Sequence, residues 1–162
     1  MIYFTMGDYE TSQKQYERAI SLNRYCNIFP SYIIFNKILK VLAKAMSNEK
    51  NIKLNEIFNL HENIENKWIE GLASNYIGII LLNINDQYVS EAEDWVKRSI
   101  ETNQKYGMMW NLAHDYALYA ELFKRKGEQS KVKENLTKAI EILKECGADG
   151  WVKKYEKELT AL

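Results

Sequence analysis

The sequence predicts an all-α fold, a superhelix of stacked antiparallel helix hairpins closed by a C-terminal capping helix. Three observations carry that reading. The first is period: Val132, Leu136, Ala139, Ile140 and Leu143 recur at i, i+4, i+7, i+8 and i+11, and line one face of a 3.6-residue helix. Lys131, Lys133, Glu134, Lys138, Glu141 and Lys144 occupy the rest of that helix. The second is the run just before it, MMWNLAHDYALYAELF (108–123), which is apolar most of the way round. Such a helix needs cover on several sides, which one amphipathic partner does not supply. The third is recurrence about every 40 residues: Ile20, Leu60, Ile100 and Ile140 share one register. Gly7, Ser47, Gln87 and Gly127 mark turns at the same spacing, and Gly107 matches Gly147.

Taken in order, residues 1–6 read as the last turns of a helix, followed by an amphipathic helix from Asp8 to about Arg24 with Ser12, Tyr16, Ala19 and Ile20 inward. This half repeat (1–24) leaves Tyr16, Ile20 and the Ile2-Tyr3-Phe4 turn poorly covered at the front of the stack. Pro30 opens the next helix, SYIIFNKILKVLAKAM, as proline favours a first helical position. Ser47 or Asn48 is expected to cap a helix from about Glu49 to Ile64, with Leu54, Ile57, Phe58 and Ile64 as its apolar set. That completes a repeat over about 30–64. The next, about 66–106, pairs WIEGLASNYIGIILL with a helix carrying Val89, Ala92, Val96, Ser99 and Ile100 inward. A further repeat covers about 108–146. Asp149 then reads as the N-cap of a closing helix, 150–161, striped by Trp151, Tyr155, Leu159 and Leu162.

Composition narrows the function. The 162 residues are 46% hydrophobic, enough for a core of ordinary size in one domain. Twenty-two basic residues balance 22 acidic ones, so no overall field draws the chain to nucleic acid or to anionic lipid. The most membrane-like run, Tyr76 to Leu82, is about one third of the roughly 20 residues a spanning helix needs. Cys26 and Cys146 stand far apart without metal-ligand spacing, which points to two free thiols in a reducing compartment. The N-terminus has neither a basic segment nor a long apolar one, so a soluble cytoplasmic protein is expected.

GDYETSQKQYERAISLN (7–23) resembles the second helix of a tetratricopeptide repeat, with a Gly-Asp-Tyr turn, small Ser12, aromatic Tyr16 and the Ala19-Ile20 pair. KGEQSKVKENLTKAIEIL (126–143) and VSEAEDWVKRSIE (89–101) are similar to the same motif. The spacing of about 40 exceeds the family's usual period of about 34, as helices one turn longer would produce. This resemblance implies a right-handed superhelix and a protein-interaction scaffold that holds a peptide or partner helix in its concave groove. Residues 88–162 also resemble the C-terminal end of bacterial signalling proteins that join a nucleotide cyclase or kinase-like domain and an NTPase to such an array. That likeness implies, as an alternative, a regulatory or sensory segment acting in cis on an enzyme.

No catalytic constellation competes with these readings. The glycines are isolated, so no phosphate loop is formed. His61 with Glu62 and Glu65 falls short of the about four ligands of a tetrahedral metal site. His114 and Asp115 are neighbours at i and i+1, and so diverge on a helix instead of acting as a base and its partner. Met108, Met109 and Trp110 read as core packing. We therefore expect no enzyme activity, no cofactor and no metal. The expected partner is a protein or peptide, with no nucleic acid or membrane, and with self-association through the incomplete N-terminal repeat as a further possibility. The polar residues expected to line the groove are Asn75, Asn83, His114, Glu121, Lys124 and Arg125.

Overall fold

The computed structural model describes residues 2–26, 30–49 and 51–162, and among these it contains nine α-helices and no strand. They are α1 (Ile2–Thr5), α2 (Tyr9–Cys26), α3 (Pro30–Met46), α4 (Leu54–His61), α5 (Lys67–Ile84), α6 (Val89–Lys105), α7 (Met109–Arg125), α8 (Gln129–Glu145) and α9 (Asp149–Thr160). Met1 and Lys50, which the expected helices at 1–6 and 49–64 included, lie outside the described residues. Each helix packs on the one that follows it, and α5 also packs directly on α3 and α7.

One closure ends many of these helices. After α6 the chain passes through Gly107 at φ +66°, and the amide of Met108 donates to the carbonyl of Asn103 at 2.8 Å. That is the bond of a Schellman cap, and it needs a residue in the left-handed region, where glycine has no Cβ to strain. The same six-residue bond closes α1 (Asp8 to Tyr3), α3 (Glu49 to Lys44), α7 (Glu128 to Phe123) and α8 (Ala148 to Leu143). At the α3 exit the residue with positive φ is Asn48.

Two element boundaries differ from the sequence reading. Instead of running from about Glu49, α4 begins at Leu54 and has 8 residues. The closure at Asn48 has already turned the chain, and Ile52, packed against the core, anchors the connecting segment before a helix can start. Asp149 is the first residue of α9 and not its cap: Ala148 holds the cap position, with no side-chain hydrogen bond. The Asp149 carboxylate instead lies in the first turn, where the helix dipole favours negative charge.

The core follows the helical periods. Val132, Leu136, Ala139, Ile140 and Leu143 of α8 are all buried, as are Ala92, Val96 and Ser99 of α6. Tyr16 and Ile20 are buried too, at 5% and 3% exposure, contrary to the expectation of an uncovered front face. Helix α3 packs on α2 and covers them. The expected exposure holds at Ile2 (74%) and Tyr3 (45%), and Met6 at 74%, Leu22 at 54% and Tyr25 at 90% also lie in solvent. Ile100, on the same register as Ile20 and Ile140, is only half-buried.

The apposition of α5 and α6 depends on two glycines one heptad apart. A Cβ at Gly71 would collide with the Asn103 amide oxygen, and one at Gly78 would lie 3.0 Å from a Val96 methyl. Close approach of the two helices therefore requires hydrogen at both positions. Gly71→Ala is expected to lower the unfolding free energy by about 1–3 kcal/mol, as overpacking does, and Asn103→Ala should relieve part of that cost in a double-mutant cycle. Denaturant titration should also show Leu143→Ala losing about 2–5 kcal/mol, half-exposed Ile100→Ala losing less, and Lys131→Ala staying within about 0.5 kcal/mol of the parent.

Candidate functional site

Helices α5, α7 and α9 each present the same pair of positions, i and i+4, to one shared groove. On α5 these are Leu72 and Tyr76, on α7 Trp110 and His114, and on α9 Trp151 and Tyr155. With Ile79, Leu118 and Phe4 they line a groove of about 600 Å³, while Asn111, Glu121, Lys154 and Glu158 supply its polar groups. An i, i+4 pair stacks on one helix face, so three helices in a row carry a continuous aromatic band.

His114 is the centre of that band. Its ring meets Trp110 at 5.0 Å and Trp151 at 4.6 Å, both edge-on, and the Tyr155 hydroxyl lies 3.4 Å from its Nδ1. Edge-to-face packing of this kind suits the charge distribution of aromatic rings. Burial pushes the His114 pKa down, and the nearby Lys154 charge pushes it further, so the imidazole is neutral at pH 7. Lys154 lies over Trp151 at 4.7 Å and near Tyr155 at 5.3 Å. Burial pushes the Tyr155 phenol up to about 12, which keeps it a hydrogen-bond donor at any ordinary pH. The groove thus offers indole and phenol surfaces, a neutral imidazole and few formal charges.

The expectation that Met109 and Trp110 pack in the core is corrected here. Met109 is 38% exposed, Trp110 47% and Trp151 37%. A helix without a polar face still has an uncovered side, and on α7 the solvent side carries Trp110. Among the polar residues expected in the groove, His114 and Glu121 are there and Asn75 lies at its floor. Asn83 points elsewhere, is exposed, and donates to the Ile79 carbonyl at 2.8 Å. Arg125 donates to the Leu82 carbonyl and pairs with Asp86 at 3.5 Å and Glu121 at 3.4 Å, so it closes the C-terminal end of α5. Lys124 lines a separate recess of about 50 Å³ beside Val132 and Leu136.

Beneath the groove lies the Asp115 carboxyl, 1% exposed. Asn75 of α5 donates to its Oδ1 at 2.7 Å, and Asn103 of α6 to its Oδ2 at 2.6 Å. The Ser99 hydroxyl of α6 stands 2.7 Å from Oδ1 and 2.8 Å from the Gly71 carbonyl. That hydroxyl has one hydrogen, and the Gly71 oxygen can only accept. While Asp115 is ionised, Ser99 can donate to its Oδ1; once the carboxyl is protonated it can donate to Ser99, which frees the hydroxyl hydrogen for the Gly71 carbonyl. Burial lifts the Asp115 pKa from 3.8 to about 6, against the lowering effect of the Asn103, Ser99 and Asn75 donors, so the switch between the two arrangements falls just below neutral pH.

His61, set aside above as a metal ligand, is a packing residue. It is 1% exposed, its Nε2 lies 2.8 Å from the Ser74 hydroxyl, and its ring meets Trp95 edge-on at 4.8 Å. Burial, followed by the Arg98 charge, lowers its pKa. Among the described residues no group of three His, Cys, Asp or Glu side chains is placed to hold a metal ion, and no helix is long and apolar enough to cross a membrane. Both cysteines are exposed free thiols. Comparison with protein-family models, with curated proteins and with solved structures gives no match for this chain.

The Asp115 arrangement has a pH signature. Between pH 3.8 and about 6 the folded chain binds a proton at this site that the unfolded chain has lost. Stability from this group is therefore full below the unfolded pKa and is lost as pH rises through the folded one. Relative to Asp115→Asn, which keeps the shape without the titration, the parent is expected to gain on the order of 2 kcal/mol between pH 7.5 and pH 4. Urea titrations of both proteins across that range measure it, and parallel curves would remove the assignment.

Proposed function

We propose that this chain is a tetratricopeptide-like interaction scaffold whose α5–α7–α9 groove holds an apolar-faced peptide or helix of a partner protein. The observation that carries this reading is the aromatic band: three alternate helices turn equivalent i, i+4 side chains toward one groove, and two tryptophans on it remain in solvent. Monomeric surfaces rarely leave large aromatics grouped without use, and tryptophan and tyrosine are the side chains that most often dominate binding energy. The stacked-hairpin arrangement inferred from the sequence explains why such a groove arises. First helices of successive pairs face the same way, so what one presents, the next presents beside it.

The groove chemistry favours a ligand with one or two apolar anchors over a charged one. The His114 imidazole is neutral, Lys154 lies over the Trp151 ring, and Glu121 and Glu158 stand among the polar lining groups. An incoming side chain would pack on the two indoles, and a ligand backbone would find donors and acceptors in Asn111, His114 and Tyr155.

A selection of displayed random peptides against the immobilised chain tests this reading. Enriched sequences should carry aromatic or aliphatic anchors, and their affinity should fall at least about tenfold, or ~1.4 kcal/mol, for Trp110→Ala and Trp151→Ala. Lys131→Ala, on another face, should bind unchanged. No enrichment, or affinities indifferent to both tryptophans, would overturn the proposal.

A further inference from the structure

A second surface, on the opposite helix row, has a different character. Helices α2, α6 and α8 have 18, 17 and 17 residues, while α4 has 8. The space between α2 and α4, over α3, is therefore only partly filled and forms a cleft of about 530 Å³. Its floor is apolar, with Ile20 from α2, Val41 from α3, Ile52 from the connecting segment and Leu60 from α4. Its walls carry Arg24, Lys37, Lys40, Lys44 and Lys53 against Glu17 and Glu56.

Three of these cations have carboxylate partners: Lys40 pairs with Glu17, Lys53 with Glu56 at 2.9 Å, and Lys44 with Glu49 at 3.4 Å, outside the cleft lining. Arg24 and Lys37 form no ion pair among the described residues, although the Arg24 charge reaches Glu17. The corresponding cleft between α6 and α8, over α7, serves as an internal control. It measures about 360 Å³ and sets Glu93, Glu101 and Glu134 against Lys97, Lys131 and Lys138. Burial there pushes the Glu93 carboxyl up, but donation from Lys126, Lys97 and Tyr119 outweighs it and holds the pKa at about 2. In a chain of zero formal charge, the α2–α4 cleft alone of these two concentrates one sign.

We infer that the α2–α4 cleft docks an acidic amphipathic helix of another protein, two to three turns long, in the space that α4 leaves open. Its apolar stripe would cover the half-buried Val41, Ile52 and Leu60, and its carboxylates would meet Arg24 and Lys37. A phosphate-rich polymer could use the cations but would leave the apolar floor in water, so the combination of floor and walls favours a peptide. Charge complementarity of this kind speeds encounter and makes binding salt-sensitive. The site shares no residue with the α5–α7–α9 groove, so the two readings stand or fall separately.

Fluorescence anisotropy with the intact chain tests the inference. The probe is a labelled helix-forming peptide of about 11 residues, or three turns, with leucine at i, i+4 and i+7 and glutamate at most other positions. Saturable binding is expected, weakening as salt rises and at least about tenfold weaker for Arg24→Glu combined with Lys37→Glu. The milder Arg24→Gln with Lys37→Gln should give an intermediate loss, with the helical circular dichroism of both variants unchanged. Trp151→Ala should leave the affinity as it was. Absence of binding, equal binding of the peptide with lysine in place of glutamate, or indifference to the Arg24 and Lys37 changes would overturn the inference. So would a single-stranded oligonucleotide of similar charge binding as tightly, which would mark a general polyanion site.

Discussion

A single buried carboxyl ties the middle of this molecule together. Asp115 lies where α5, α6 and α7 meet, and its partners come from the other two helices: Asn75 from α5, and Ser99 and Asn103 from α6. A carboxyl so deeply buried is costly unless it is hydrogen-bonded, so these bonds favour one relative placement of the three helices, even though the buried Asn103 Oδ1 makes no hydrogen bond among the described residues. Gly71 belongs to the same constraint: its carbonyl accepts from Ser99, and its missing side chain makes room for Asn103. Apolar packing could accept a helix rotated or slid by part of a turn, but this set of hydrogen bonds could not.

The constraint reaches the surface through adjacency. Asp115 and His114 are consecutive and diverge by about 100° around α7, so turning the carboxyl inward turns the imidazole toward the groove. Trp110 lies one turn back on the same side, and α9 brings Trp151 and Tyr155 against the His114 ring. The groove is thus positioned by the polar network beneath it. The α2–α4 cleft arises differently, from a helix that starts late. Its openness follows from the turn at Asn48 and from the anchoring of Ile52, and its charge from which lysines happen to flank the missing turns.

Much of the fold was legible because the relevant signals are local. Val132, Leu136, Ala139, Ile140 and Leu143 share one stripe with charge on the other side, and a single helix with such a stripe has one way to face a core. The all-helical class and the burial of Ser12 follow from the same reasoning. The candidate site was legible only in part. His114 and Glu121 were identified as groove residues, yet Asn75 proved to be held by Asp115, Arg125 to close α5, and Trp110 to lie in solvent. Asp115 itself was considered only as a neighbour of His114. One signal could have pointed to the aromatic band: Trp110 and Trp151, like His114 and Tyr155, are separated by nearly the spacing that relates the helices.

By itself, then, the sequence determined which segments are helices and which face of each amphipathic helix turns inward, because both follow from a periodicity that one helix expresses alone. Tertiary structure decided which side of the all-round apolar helices α5 and α7 stays uncovered, how much of α4 forms, and which polar residues are used up internally. Those outcomes depend on where neighbouring helices stop and on which hydrogen-bond partners they bring within reach. Residues 16 to 44 positions from Asp115, namely Ser99, Asn75 and Gly71, set them jointly, and no local period records that.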